Sequence, residues 1–333
     1  MSKYTIEKRQ RGGEQTYILS DEVYEGEAEV VPGIGFNLVR FVTSGISMIL
    51  EPPALEMLRE EKDAHFKFGT PILFPPNRIK KGSFSYHGRQ YQLPLNETTN
   101  HLHGEICYRP WKVIDFGHSD ETGAFVTAQF DYRDHPSILA YFPHPLVFTL
   151  SYRLYQGCLY LSGKIINEGE QEAPFAFGLH PYFDLSMMNQ DDTKIIIPVA
   201  EEWPVTQEAF VTGLPKSTQL GGRLNNGVPL VEFPAGSCWL FRLKGDPYPC
   251  IIHDSRLQAS LHYQVDTSFP YLILFRPDWS SAVSFEPYTY VTDAFNLPWH
   301  DELTGVRGLT TGQEFTFQTQ MWLEKSSGGR TSD

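Results

Sequence analysis

Val147-Phe148-Thr149-Leu150-Ser151-Tyr152-Arg153-Leu154 alternates with a period of two. Phe148, Leu150, Tyr152 and Leu154 fall on one side, and Val147, Thr149, Ser151 and Arg153 on the other. Such a pattern marks an antiparallel strand with one face in a core and one toward water. Leu159, Leu161, Gly163 and Ile165 repeat it a few residues on, as do Phe315, Phe317, Thr319, Met321 and Leu323 near the C-terminus. Ser83–Tyr86 and Arg89–Leu93 flank His87-Gly88, a two-residue hairpin turn. Helical periodicity is thin. Its best segment, Pro53–Glu61, is short and charged with Pro near its start, which predicts a surface helix between strands. The chain therefore reads as all-β.

The bulk composition agrees. Aromatics make up 14% of the 333 residues, mostly Phe and Tyr, which favour strands. The 24 prolines and 27 glycines are spread throughout rather than gathered in a linker. One β domain over residues 1–324 is expected, followed by a disordered tail over 325–333. Net charge is 27 − 40 = −13. An acidic chain repels phosphate backbones and anionic membranes, so neither nucleic acid nor membrane is an expected partner. The four cysteines, Cys107, Cys158, Cys238 and Cys250, form no CxxC pair and read as reduced, buried thiols. No apolar run approaches a membrane span and the N-terminus has no signal-like core, so a cytoplasmic protein is expected.

Chemistry concentrates in three separated stretches: Asn100-His101-Leu102-His103-Gly104-Glu105, Gly178-Leu179-His180-Pro181-Tyr182-Phe183, and Phe285-Glu286-Pro287-Tyr288-Thr289. Each sets an imidazole or a carboxylate beside Pro, Gly and aromatic residues, as a sugar site does. Glu286 follows an alternating apolar run and is expected at a strand end. Phe285, Tyr288, Tyr290 and Phe295 would desolvate it, raising its pKa toward that of a useful base. A lone strand-end Glu is more often a surface residue, and a lone His such as His180 is more often a satisfied core histidine. His101 and His103, two apart on a strand, would share a face, which raises a zinc site. No further ligands stand at convincing spacing, so no metal is expected. Asn77-Arg78 offers a fork of donors for sugar hydroxyls, or simply a surface arginine.

Gly69-Thr70-Pro71-Ile72-Leu73-Phe74-Pro75-Pro76-Asn77-Arg78-Ile79, Leu102-His103-Gly104 with Trp111, His180-Pro181-Tyr182-Phe183, and Glu286-Pro287-Tyr288-Thr289 continuing to Thr292-Asp293-Ala294-Phe295-Asn296 resemble, in order, the motifs of the aldose 1-epimerase (galactose mutarotase) family. The resemblance runs from about Tyr17 to Leu323. It implies a large antiparallel β-sandwich, the supersandwich, and interconversion of the α and β anomers of a free aldose such as glucose or galactose. Glu286 would take the proton from the C1 hydroxyl, and His180 would protonate the ring oxygen. His103, Arg78, Asn77 and Tyr182 would bind substrate, and Tyr182, Phe183 and Trp279 could pack on the sugar's C–H face. No cofactor is implied, because mutarotation already proceeds unaided. A monomer or homodimer is expected.

The chain also departs from the family pattern. Members acting on galactose use an aspartate between the second and third motifs, but the corresponding stretch, Gly236-Ser237-Cys238-Trp239-Leu240-Phe241, has none. Asp246 and Asp254 lie nearby, and Asp254 is the candidate substitute. Glu105 replaces a usual Gly, and Asp184 stands where Asn is common. The rival readings are a hexose-6-phosphate 1-epimerase, with Arg109 as a phosphate handle, and a non-catalytic sugar-binding or sugar-sensing protein on the same scaffold. A glycoside hydrolase fits poorly, since that chemistry wants two carboxylates.

Overall fold

The alternating run is the strand Leu146–Tyr155. Phe148, Leu150, Tyr152 and Leu154 are buried, while Thr149, Ser151 and Arg153 are half-exposed. It turns at Gln156-Gly157, both with positive φ, into the antiparallel strand Cys158–Asn167. That is the backbone a two-residue hairpin with right-handed strand twist requires. The computed structural model describes residues 2–61, 63–245 and 249–325.

This hairpin belongs to a nine-stranded antiparallel sheet that also holds Gly123–Asp131, Glu314–Lys325, Ala259–Val265 and Cys250–Asp254. A seven-stranded sheet runs Val199–Trp203, Ser237–Leu243, Tyr271–Arg276, Ala282–Tyr288, Gly178–Leu179 and Ile72–Leu73, with Tyr182–Asp184 also pairing on Ala282–Tyr288. Aromatic rings bridge the two sheets: Phe183 meets Tyr263 at 5.4 Å and Phe177 meets Phe317 at 4.9 Å. A five-stranded sheet from Tyr4 to Ser47 packs against the hairpin end, where Phe36 meets Tyr152 at 5.2 Å. One continuous apolar core draws on all three sheets. Truncating one of its rings, such as Phe148, should cost about 3–5 kcal/mol. The fold is thus all-β, a large antiparallel β-sandwich with a few short helices.

The hairpin around His87-Gly88 forms in the expected register, Tyr86↔Arg89. The expected helix is reduced to Met57–Glu60, because only Leu58 of its turn is buried and no side chain caps it. The last strand runs through Lys325, whose Nζ donates to Ser44 O at 2.9 Å, so Lys325, expected as the first residue of a disordered tail, belongs to the sheet. The rest of that tail, and Asp246, lie outside the described residues. No helix among the described residues is long and apolar enough to cross a membrane.

Candidate active site

Glu286 sits inside Ala282–Tyr288, a strand buried along its whole length. It was expected at a strand end, but the strand continues through Pro287, which pairs with Leu272. On the opposite edge the ladder is interrupted: Tyr182 pairs with Ser284 and Gly178 with Tyr288, with no ladder pair at Phe285, Glu286 and Pro287. His180-Pro181 leaves the ladder there. A proline, having no N–H to give, is tolerated beside such a gap. The register is the same on both sides of the gap, which sets His180 across from Glu286, and its Nε2 lies 3.3 Å from Glu286 Oε1.

Both groups are buried, at 4% and 2% exposure. Burial pushes the Glu286 carboxyl up to about 8, against the lowering pull of its Tyr288 hydrogen bond and of Arg78. Burial pushes the His180 imidazole down to about 3. The pair at neutral pH therefore carries one proton, on the carboxyl, and the imidazole is neutral. Tyr288 donates its hydroxyl to Glu286 Oε2. Tyr182 stacks on His180 at 4.6 Å, with its hydroxyl 3.4 Å from Nε2. Of the rings expected to desolvate Glu286, Phe285 instead packs on Phe183, Tyr290 donates to Pro76 O, and Phe295 packs on Phe84.

His103 and Asn77 come from two turns with φ of +60° and +56°. They lock each other: His103 N donates to Asn77 O at 3.0 Å, and Asn77 N donates to His103 Nδ1 at 3.2 Å. With Nδ1 accepting, the ring's proton sits on Nε2, the nitrogen left for a ligand. Burial, then the neighbouring His180 at 5.2 Å, hold its pKa well below the usual value, so His103 is neutral. Gly104, at φ +70°, lets this turn approach Phe74: a Cβ there would lie 1.9 Å from Phe74 O.

These side chains line an open cavity of about 270 Å³ with Arg78, Tyr182, Trp279 and Cys238. Arg78 is not an unpartnered fork. Its Nε lies 2.9 Å and its Nη2 2.6 Å from the Glu97 carboxylate, and Nη1 donates to Glu208 O at 3.1 Å. Glu97, missed in the sequence, thereby becomes part of the wall. The floor beside Glu286 is apolar: Ile273 pairs with Glu286, and Phe275 pairs with Cys238. Cys238 thus lines the cavity from Gly236–Phe241, the stretch that corresponds to the family's aspartate. Cys158 is likewise only half-buried, whereas Cys107 and Cys250 are buried, and all four are unpaired.

Three expectations are corrected. Asp254 does not reach the cavity. It is fully buried, accepting from Leu257 N at 2.7 Å, Asn189 N at 3.1 Å and Thr193 Oγ1 at 3.2 Å, and so braces a turn. Phe183 is a core residue, not a platform. His101 and His103 do not share a face, because the strand ends at Leu102 and His103 turns away. His101 Nδ1 instead lies 2.7 Å from Pro94 O, beside a separate, narrow apolar crevice. Among the described residues no cluster of three or more metal-ligating side chains occurs.

The chain matches the model of the aldose 1-epimerase family over residues 34–322. It is 30% identical to Escherichia coli YihR, an uncharacterised protein, over 149 residues, 43% of this chain and 45% of that one. It is 27% identical to the galactose mutarotase of Rattus norvegicus over 156 residues, 44% of this chain and 42% of that one. The matches thus span less than half the length of these curated relatives. Among solved structures, a galactose mutarotase-like protein from Clostridium acetobutylicum superposes with a TM-score of 0.88 at 22% identity, covering 97% of this chain and 99% of that one. Galactose 1-epimerase from Lactobacillus acidophilus gives 0.72 at 17% identity, covering 98% and 100%. At these identities the likeness establishes the fold.

Proposed function

The chain belongs to the aldose 1-epimerase family, and we propose that it interconverts the α and β anomers of a free aldose through Glu286 and His180. The observation that carries this reading is the 3.3 Å contact between the buried Glu286 carboxyl and the buried His180 imidazole at the wall of an open cavity. Ring opening needs one proton taken from the C1 hydroxyl and one delivered to the ring oxygen. Moving the shared proton from Glu286 to His180 creates the carboxylate base and the imidazolium acid together, with no change in net charge. Glu286 then accepts the C1 proton as His180 protonates the ring oxygen, and the C1–O bond breaks to the open aldehyde. Rotation about C1–C2 and closure on the other face, with both transfers reversed, give the other anomer. Each acid–base role is worth roughly 10²–10⁴ in rate. His103 Nε2–H, Asn77 and the Arg78–Glu97 pair supply hydrogen bonds, and Tyr182 and Trp279 supply rings for C–H faces.

An uncharged sugar is favoured over a phosphorylated one. Arg109, the candidate phosphate handle, is tied to Glu105 and Ser137 away from the cavity. In the cavity lining, Lys67 and Arg78 are matched by Asp63 and Glu97. A binding protein would not need a proton-sharing pair. The test follows the anomeric NMR signals of freshly dissolved α-glucose and α-galactose, then of glucose 6-phosphate. Accelerated equilibration of a free sugar supports the proposal. Binding without acceleration, or a large preference for the phosphate, overturns it.

A further inference from the structure

We infer that Ser284 and Tyr288, two residues before and two after Glu286, are positioning residues that hold the shared proton on the line between Glu286 Oε1 and His180 Nε2. This rests on the proton roles proposed above. Alternation along a strand puts residues 284, 286 and 288 on one face, and each end of the trio holds one member of the pair.

The donor and acceptor roles are determined by the chain of contacts. Ser284 Oγ donates its hydrogen to Pro181 O at 2.8 Å. Toward His180 Nδ1, 2.9 Å away, it can therefore only accept. The neutral imidazole must then carry its hydrogen on Nδ1, and Nε2 is a bare lone pair facing Glu286 Oε1. At the other end the Tyr288 hydroxyl donates to Oε2, which fixes the carboxyl's rotation and reserves Oε1 for the proton. Ser284 is fully buried and Tyr288 fully so as well, so no water competes for either bond. The resting state is Glu286 Oε1–H pointing at Nε2. The reactive state is the same proton across the gap, with the imidazolium's Nδ1–H still held by Ser284 and the carboxylate still held by Tyr288.

The other titratable groups facing the pair do not duplicate these roles. Tyr182 stacks on the His180 ring with its hydroxyl 3.4 Å from Nε2, where it can donate only to a nitrogen that carries no hydrogen, and His103 meets the ring edge-on at 5.2 Å with its own Nδ1 engaged by Asn77. Arg78 acts on Glu286 from a distance while bound to Glu97, and the Cys238 thiol, pushed up to about 11 by burial, stays protonated.

The test is imidazole ¹⁵N NMR of the intact protein between pH 5 and 7, with the His180 signal assigned by difference against His180→Gln. The expected result is a pyrrole-type Nδ1 and a pyridine-type Nε2. That pattern should be retained in Ser284→Thr, which keeps the hydroxyl, and lost in Ser284→Ala, whose kcat should fall about tenfold or more with KM little changed. In Tyr288→Phe the alkaline limb of kcat/KM should move up by about one pH unit, since a donor to the carboxylate is gone. An imidazolium or an Nε2–H tautomer in the wild-type protein overturns the inference. So does a Tyr288→Phe variant whose pH profile stays in place. The ¹⁵N pattern is read without substrate, so its outcome is independent of whether any aldose tested is turned over.

Discussion

The Glu286 strand and the Asn77 and His103 turns face one cavity with opposite kinds of backbone. Ala282–Tyr288 is extended, buried along its length and paired on both edges except where His180 enters. The turns use φ of +56° and +60° at non-glycine residues and +70° at Gly104. The difference follows from what each must do. Proton transfer tolerates little error in distance, so its groups sit on a sheet that cannot shift without breaking a ladder. Binding groups must aim inward from a rim, so they sit where the chain reverses and are held by locking to each other.

The largest expected effect lies on the strand side. Glu286→Gln should lower kcat/KM by about 10²–10⁴ without unfolding the protein. An undiminished rate would place the chemistry elsewhere. Next is pH. The Glu286 pKa is raised, so the one-proton form is present below about 8 and lost above it, while the second proton joins only near about 3. Mutarotation should hold level between these limits and fall about tenfold per unit above 8. By the same linkage, wild-type stability should decline relative to Glu286→Gln as pH rises from 4.5 through about 8, read in paired thermal melts.

On the turn side, Gly104→Ala should cost about 1–3 kcal/mol from the left-handed backbone alone, more with the Phe74 clash, and should raise KM by displacing His103. Urea titration and a substrate series separate the two effects. Asp254→Ala should cost about 1–3 kcal/mol of stability, because buried N–H groups lose their acceptor, and leave kcat/KM near wild type. A tenfold loss in kcat/KM at full stability would return Asp254 to the site.

Much of this was legible in the sequence, for identifiable reasons. Phe148 to Leu154 announce a half-buried strand because period two is the geometry of a strand. Glu286 and His180 stood out because acid–base chemistry needs those side chains in apolar company. Ser284 was within reach, since an i−2 neighbour on a strand shares the face of Glu286, but its bond to His180 depends on which strand pairs alongside. The Arg78–Glu97 pair joins residues 19 apart on either side of the His87-Gly88 hairpin, a contact no local pattern encodes. His103 was misassigned to a strand face because one left-handed residue reverses the direction that alternation implies. Asp254 looked available by position, yet backbone N–H groups that only the folded turn brings together had already engaged it.

The anomer-exchange rates of Glu286→Gln, His180→Gln and the double variant test most directly whether the pair works as one proton-sharing unit. The expected result is a large loss in each single variant, with the double variant slower than the worse single by no more than about tenfold. Losses that multiply in full, or either single variant at the wild-type rate, would contradict it.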